Sequence, residues 1–440
     1  MTAPTPSTIY ALSSGPGRAG IAVVRLSGSM AGPVLAKLAG TLPAPRMASL
    51  RKLKAADGLI IDEAMVLWFP GPHSATGEDV AEFHVHGAPA IMAFLFSEFA
   101  KVEGLQLAEP GEFSKRAFDH GKLDLLEVEG LADLLSATGE AQRRLAMRLF
   151  LGEASAVYEK WRVDLIAALA LHEAAIDFVE EDDVAARARD MAGPVLRRLV
   201  KELEAALHLS SQNAAIRSGL RLVIAGAPNV GKSSLLNALA GREAAIVSPQ
   251  AGTTRDVVEA QILLEGVPLA LADTAGLRSS TSDAIEKIGM ARAEQAALDA
   301  DLLLWVMAPD VVESVGPPRR PDLIVHNKSD LGSIRTRNDV ALEVSTKTGV
   351  GLNRLRAELQ KLIHARLAGV EDAVVVRQRH VQAVQESIRL LNKCLDQPDR
   401  LSELIAEDLR KAARALGSIA GHVDVEDLLG KIFSEFCIGK

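Results

Sequence analysis

The stretch GAPNVGKSS, residues 226–234, restricts the fold of this chain more than any other. It matches the pattern G-x-x-x-x-G-K-[ST], with Gly226, Gly231, Lys232 and Ser233 at the fixed positions. An apolar run ending at Ala225 precedes it and a helix-like run follows, which is the context that a phosphate-binding loop requires. Glycines let backbone N–H groups turn toward phosphate oxygens, and the helix N-terminus adds positive potential. The stretch therefore predicts a nucleoside triphosphate site, with Lys232 at the outer phosphates and Ser233 on Mg²⁺.

Two motifs downstream extend the predicted phosphate and metal site. In GTTRD, the hydroxyl of Thr254 can complete the Mg²⁺ shell. DTAG follows an apolar run, so Asp273 can hold a water molecule of the metal and Gly276 can donate its N–H to the γ-phosphate.

Two later motifs predict which base the site recognises. In NKSD, the carboxylate of Asp330 can accept both N–H donors of the guanine edge, a donor pair that adenine lacks. STK, residues 345–347, follows a β-like run and can offer backbone N–H groups to guanine O6. The five elements in this order predict a GTPase.

Two positions differ from the Ras pattern. Leu277 follows DTAG where Ras-type proteins have a water-orienting glutamine, so another group must orient the water. Asp283, Glu286 and Arg255 are nearby candidates, and the residues alone do not separate them. Asn229 in the phosphate loop offers an amide oxygen that can bind a monovalent cation beside the phosphates.

Composition limits the class of protein. With 440 residues, 48% hydrophobic and 24% charged, the chain suits several ordinary globular domains. Two cysteines rule out a disulfide framework and fit a reducing cytoplasm. The N-terminus lacks the pattern of a signal peptide, and no apolar run reaches the length of a membrane span. The net charge of −8 argues against a surface devoted entirely to nucleic acid.

Four stretches of the chain differ in the secondary structure that their residue patterns predict. Residues 1–120 mix β-like runs, Gly/Pro turns and one helical segment, which predicts an α+β domain. Residues 216–367 alternate strands and helices, as in a parallel sheet with crossover helices. Residues 121–215 and 368–440 show helical spacing. We favour one discontinuous helical domain with the α/β domain inserted, over two separate helical pieces.

Segments spread over nearly the whole chain carry a family resemblance. They include GPGRAGIAVVRLSG, FPGPHSATGEDVAEFHVHG, PGEFSKRAFDHGKLDLLEVEGLADLL and the terminal LLGKIFSEFCIGK. With the GTPase motifs between them, the chain resembles the MnmE (TrmE) family of tRNA-modifying GTPases. The resemblance implies an N-terminal tetrahydrofolate-binding domain, a discontinuous helical domain and an inserted Ras-like P-loop GTPase domain.

The resemblance also implies an activity and its partners. Family members act as homodimers with MnmG, a flavin-containing protein, in the cytoplasm and off the membrane. Together they modify C5 of the wobble uridine of certain tRNAs, forming a (carboxymethyl)aminomethyl group. The carbon would come from 5-formyl- or 5,10-methylene-tetrahydrofolate, and glycine or ammonium would supply the nitrogen. GTP hydrolysis would need Mg²⁺ and K⁺.

The site residues implied by the resemblance fall into four groups. Glu286 becomes the favoured water-orienting residue. K⁺ would contact Asn229, Ser248, Gln250 and Thr253, and folate would contact Arg25, Glu82, Lys122 and Lys440. The full GTP-binding set would be Asn229, Val230, Gly231, Lys232, Ser233, Ser234, Ser248, Pro249, Gln250, Ala251, Gly252, Thr253, Thr254, Asp273, Thr274, Ala275, Gly276, Asn327, Lys328, Asp330, Ser345, Thr346 and Lys347.

Three side chains outside the nucleotide motifs need an interpretation. His84 and His86 share one face of a strand, but no third ligand accompanies them, so we interpret them as pocket or core residues and not as zinc ligands. Cys437 in the terminal FCIGK does not suit prenylation, because Gly439 and Lys440 replace the expected residues. It is a candidate thiol for the modification reaction, with a structural role as the alternative.

Two other functions fit part of the sequence. A GTP-dependent switch for ribosome assembly would share the GTPase elements, but nothing after residue 367 resembles an RNA-binding appendage such as a KH domain. A folate aminomethyltransferase working alone would leave the GTPase motifs without a role.

Overall fold

The computed structural model describes residues 7–177, 182–240, 259–264, 267–273, 294–311, 316–332, 341–366, 374–398, 400–422, 429–430, 432–433, 436 and 438–439. The chain divides into two compact units. The first comprises Met1–Ala132, Leu149–Ile166 and Arg410–Lys440, and the second comprises Asp133–Arg148 and Ala167–Leu409. The boundaries of the three domains inferred from the sequence stay a prediction.

A six-stranded sheet forms the centre of the first unit. Its strands are β1 (Thr8–Leu12), β2 (Ala19–Ser27), β3 (Ser49–Lys54), β4 (Ile60–Phe69), β5 (Val80–Gly87) and β6 (Leu105–Leu107). Their order is β3-β4-β5-β2-β1-β6, and all neighbours are antiparallel except β1 and β6. The α+β character predicted for this part of the chain is confirmed.

The two faces of this sheet are covered differently. Helices α1 (Ala31–Ala39) and α2 (Pro89–Ala100) contribute to a large apolar core with Val24 of β2 and Phe83 of β5. Successive side chains of a strand point to opposite faces, so Arg25, Glu82 and His84 lie on the other face. A smaller apolar cluster includes Phe113 of α3 (Glu112–Asp119).

Five helices follow along the chain. They are α4 (Leu125–Ser136), α5 (Glu140–Phe150), α6 (Glu153–Asp177), α7 (Asp182–His208) and α8 (Ser210–Ser218). The apolar residues at helical spacing in this stretch therefore form helices, as predicted. No helix in the described ranges is both long and apolar enough to cross a membrane.

A second six-stranded sheet belongs to the second unit. Its strands are β7 (Leu220–Ala225), β8 (Glu259–Leu264), β9 (Val267–Asp273), β10 (Leu302–Met307), β11 (Leu323–His326) and β12 (Leu342–Glu343), in the order β12-β11-β10-β7-β9-β8. All neighbours are parallel except β8 and β9.

The central strands of this sheet are buried on both faces. In β10, for example, Leu304 packs into one apolar cluster, and Leu303 and Trp305 pack into another. This explains why the strand reads as the continuous apolar run LLLWVM. Helices α9 (Lys232–Ala240) and α10 (Leu352–Arg366) contribute to the first of these clusters.

Helices α11 (Gln378–Asp396) and α12 (Ser402–Ala420) follow the α/β elements, and α11 packs against α7. The chain segments that enter and leave the α/β elements are joined by polar contacts. Asp133 Oδ1 accepts hydrogen bonds from Arg217 Nε at 2.9 Å and from an Arg377 nitrogen at 2.8 Å. The buried amide of Asn213 donates to Val375 O at 2.9 Å. We call Asp133, Arg217 and Arg377 the Asp133 clamp.

The Asp133 clamp gives a prediction about local stability. Asp133→Ala leaves two partly buried guanidinium groups without a shared acceptor, so the clamp segments should open more readily, by about 1–3 kcal/mol. Hydrogen exchange measured by mass spectrometry should show faster exchange at residues 213–218 and 374–380. Asp396→Ala, an exposed change at the end of α11, is the control, and exchange equal to the control would contradict the role of the clamp.

Candidate functional site

The phosphate loop connects β7 to α9, as its motif predicts. Gly226 has φ 147° and Gly231 has φ 91°, conformations that favour glycine. A Cβ atom on Gly226 would lie 2.2 Å from Val306 O, and one on Gly231 would lie 2.3 Å from Asn327 Nδ2. Both distances are far below van der Waals contact, so both positions require glycine on conformational and steric grounds.

Lys232 is the first residue of α9 and is buried. Its Nζ donates to Gly226 O and to Ala227 O, each at 3.0 Å. These contacts hold the ammonium group against the phosphate loop, where it can neutralise phosphate charge. Ser233 and Ser234 follow in the first helical turn and are exposed, which suits the metal contact expected of the Ser233 hydroxyl.

Asn229 occupies an exposed position in the phosphate loop. Its φ of 65° is left-handed, a conformation that asparagine adopts more readily than most residues. The next residue, Val230, is buried and anchors the loop in the core. The loop thus exposes the side-chain amide of Asn229 next to Val230, which is fixed in the core.

Asn327 of the NKSD motif links three loops. Its Nδ2 donates to Val230 O at 2.9 Å, and its Oδ1 accepts from Thr346 N at 3.3 Å. Its backbone N–H donates to Met307 O at 2.8 Å. The side chain is almost fully buried, so these bonds satisfy groups that water does not reach.

Asp330 is held by the STK segment. Ser345 Oγ donates to Asp330 Oδ1 at 2.6 Å. This hydrogen bond lowers the pKa of the exposed Asp330 carboxyl, with smaller contributions from Lys347 and Lys328. The carboxylate that should recognise guanine is thus ionised at neutral pH.

Two of the three backbone N–H groups of the STK segment donate hydrogen bonds within the protein. Ser345 N donates to Val350 O at 2.9 Å, and Thr346 N donates to Asn327 Oδ1. Among the three residues, Lys347 N–H is therefore the remaining candidate donor to guanine O6.

Lys328 adopts a left-handed conformation with φ 58°. Its Nζ lies 2.6 Å from Asp310 Oδ2, and this bond lowers the pKa of the Asp310 carboxyl. The sequence did not indicate Asp310 as a partner, because the residue follows β10 and belongs to no nucleotide motif.

Much of the remaining predicted site lies outside the described residues. Asp273 is the last residue of β9 and pairs with Ile224 of β7, so its backbone lies at the end of the sheet that carries the phosphate loop. The predicted residues outside the described ranges are Ser248, Pro249, Gln250, Ala251, Gly252, Thr253, Thr254, Thr274, Ala275, Gly276, Glu286, Cys437 and Lys440, together with Arg255, Leu277 and Asp283.

A second polar site lies on the first unit. Arg25 of β2 and Glu82 of β5 are directly opposite in the strand register. Arg25 Nε donates to Glu82 Oε1 at 3.0 Å, and Arg25 Nη2 lies 2.9 Å from the same oxygen. The Arg25 guanidinium also lies 5.9 Å from the centre of the Phe113 ring. His84 Nε2 lies 3.2 Å from Glu82 Oε2.

Lys122 and the described residues near the C-terminus belong to the same unit. Lys122 is exposed after α3, and in the described ranges no hydrogen bond or ion pair joins it to Arg25 or Glu82. Near the chain end, Ser13 Oγ donates to Gly439 O at 3.0 Å, and Ile438 forms a bridge with Pro110. Gly439 thus lies beside the segment that follows β1.

His86 contacts a different carboxylate from His84. Its Nδ1 lies 2.8 Å from Asp62 Oδ1, and its backbone N–H donates to Asp62 Oδ2 at 2.7 Å. Among the described residues, no group of three or more His, Cys, Asp or Glu side chains is arranged to hold a metal ion. The sequence interpretation of His84 as a pocket or core residue missed its bond to Glu82, although the spacing E-x-H on a strand puts both on one face.

The mostly parallel sheet, the phosphate loop and the linked guanine motifs define the chain as a P-loop GTPase. The family model described as MnmE helical domain matches residues 125–437, and the one described as GTP-binding protein TrmE N-terminus matches residues 8–122. The chain belongs to the MnmE family of tRNA modification GTPases.

Relatives match the chain over nearly its full length. A protein named tRNA modification GTPase MnmE from Bradyrhizobium sp. (strain ORS 278) is 46% identical, over 99% of this chain and 100% of its own. One of the same name from Maricaulis maris (strain MCS10) is 46% identical with the same coverage. A solved structure of the G domain of the T. maritima FeoB iron transporter is 26% identical over 32% of this chain and 98% of that chain, with a TM-score of 0.24.

The Asp330 carboxylate gives a prediction about base choice. Asp330→Asn replaces one acceptor by a donor, so affinity for GTP should fall about tenfold or more. Affinity for xanthosine triphosphate should rise, because its base carries an acceptor oxygen where guanine carries an amino group. Equilibrium binding of both nucleotides to each protein tests this, and an unchanged preference for GTP would contradict the assignment.

Proposed function

We propose that the chain is a K⁺-dependent GTPase that acts with the flavin-containing protein MnmG on C5 of the wobble uridine of certain tRNAs. The product would be a (carboxymethyl)aminomethyl group built from a folate one-carbon unit. One observation carries the proposal: a linked guanine-nucleotide site and a separate polar site, Arg25–Glu82–His84, occur in one chain of this family. A nucleotide switch alone gives no reason for the second site.

The metal requirements rest on the chemistry of the phosphate loop. Mg²⁺ and K⁺ prefer oxygen ligands, and the loop offers the Ser233 hydroxyl and the Asn229 amide at exposed positions. Mg²⁺ would be held by Ser233 and Thr254, and K⁺ by Asn229, Ser248, Gln250 and Thr253. When bound, these cations would neutralise charge that develops on the phosphates.

Several residues of the chain would then perform hydrolysis. Lys232 is held at the loop by its carbonyl contacts and would bind the outer phosphates. Glu286 would orient the attacking water, since Leu277 has no group that can do so. Asp330, ionised and fixed by Ser345, would select guanine.

The polar site of the first unit would bind the folate. Glu82 presents a carboxylate that suits the N–H groups of a pterin, and Lys122 and Lys440 suit its anionic tail. Arg25 is bonded to Glu82, so it would orient that carboxylate as well as add positive charge. Cys437 would serve the modification step and not GTP hydrolysis. The protein would act as a homodimer in the cytoplasm, with tRNA as substrate.

Modification of tRNA in cells tests the proposal directly. Deleting the gene should remove the C5 group from the wobble uridine, and mass spectrometry of tRNA nucleosides measures this loss. Re-expression of the unaltered chain is the control and should restore the group. Normal tRNA in the deletion strain, together with a defect in ribosome assembly, would favour the switch function instead.

The choice of cation gives a second prediction. GTP turnover should be several times faster in K⁺ than in Na⁺ at equal ionic strength, because the cation site would be matched to the larger ion. Asn229→Ala should remove most of this difference by deleting one oxygen ligand. Phosphate release measured in both salts checks both statements, and equal rates in the unaltered protein would remove the role assigned to Asn229.

A further inference from the structure

The two oxygens of the Glu82 carboxylate are in different surroundings. Oε1 receives two nitrogens of Arg25, at 3.0 and 2.9 Å, whereas Oε2 receives His84 Nε2 at 3.2 Å. A carboxylate accepts about four hydrogen bonds, about two at each oxygen. Within the described part of the chain, Oε2 therefore keeps capacity for one further donor, and His84 is the group that fixes this oxygen.

The contact with Glu82 determines which ring nitrogen of His84 carries a proton. An ionised carboxylate only accepts hydrogen bonds, so His84 Nε2 must carry the proton. The other ring nitrogen, Nδ1, has no hydrogen-bond partner among the described residues. The orienting proton is thus fixed in either charge state of the ring.

The three side chains are accessible enough to meet a ligand. Glu82 is 15% exposed, Arg25 26% and His84 30%. Strand register places them on one face of the sheet, opposite the large apolar core. Because each side chain keeps part of its surface exposed, a ligand can reach the ion pair and the imidazole without a change in the sheet.

We propose that His84 is a positioning residue that holds Glu82 Oε2 for an N–H donor of a bound pterin ring. The proposal rests on the folate site of the proposed function. The terminal torsion of a glutamate is broad and roughly two-fold, so Arg25 on one oxygen leaves the carboxylate plane free to turn. A second donor from the same strand as Glu82 removes that freedom before the ligand binds.

Three variants of the full-length chain separate donor position from polarity and size. In His84→Gln, the side-chain amide nitrogen can take the place of Nε2. In His84→Asn, the side chain is too short for its amide nitrogen to reach Glu82. His84→Leu keeps bulk without a donor. Isothermal titration with 5-formyl-tetrahydrofolate should give similar affinities for the unaltered chain and His84→Gln. Affinity should be about tenfold or more weaker for His84→Asn and His84→Leu.

The outcomes distinguish a failure of the role of His84 from a failure of the proposed folate site. GTP turnover and the thermal midpoint should stay equal in all variants, which shows that binding and not folding has changed. Unchanged affinity in His84→Asn and His84→Leu would overturn the role of His84 and leave folate binding intact. Equal weakening in His84→Gln and His84→Leu would also overturn it, because the donor would then be irrelevant. No folate binding by the unaltered chain would overturn both the role and the folate site.

Discussion

The buried side chain of Asn327 is the constraint on which the nucleotide site depends. Its amide bonds to the phosphate loop and to the STK segment, and these partners lie 97 and 19 residues away along the chain. Leaving such groups unpaired in the interior costs about 1–3 kcal/mol each, so the loops are held in one arrangement. Gly231 belongs to the same constraint, because any side chain there would displace the Asn327 amide. The phosphate and guanine elements thus form one connected structure.

The two polar sites share a physical principle. In each, a carboxylate is held by donors of the protein: Asp330 by Ser345, and Glu82 by Arg25 and His84. Fixing the acceptor in advance lowers the entropy cost when a ligand binds. Asp330 follows a strand with parallel pairing, and Glu82 lies in a strand with antiparallel pairing. Backbone pairing therefore determines where both carboxylates lie. The sheets therefore set the position of the acceptors, and neighbouring side chains set their orientation.

Sequence motifs predict this molecule best where backbone conformation is the requirement. The strand–loop–helix at GAPNVGKSS, both loop glycines and the parallel order of the apolar runs are confirmed. Contacts set by register were not predictable. Arg25 and Glu82 are 57 residues apart, and only the pairing of β2 with β5 brings them together, so the sequence suggested a ligand's tail for Arg25. Likewise, nothing local to Asp310 or Asp133 in the sequence indicates that Lys328 or two arginines are their partners.

Strand β7 connects the most constrained parts of the second unit. Its amino end follows Arg217, which the Asp133 clamp holds, and its carboxyl end continues into the phosphate loop. Asn213 and Val375 are 162 residues apart, yet their hydrogen bond keeps the entry and exit of the α/β elements together. Since loop-closure entropy grows only slowly with length, a few such bonds can offset it. Because β7 pairs with β9 on one side and β10 on the other, it cannot slide alone. The phosphate loop and the clamp are therefore connected by the six residues of β7, five of them buried, which neighbouring strands hold on both sides.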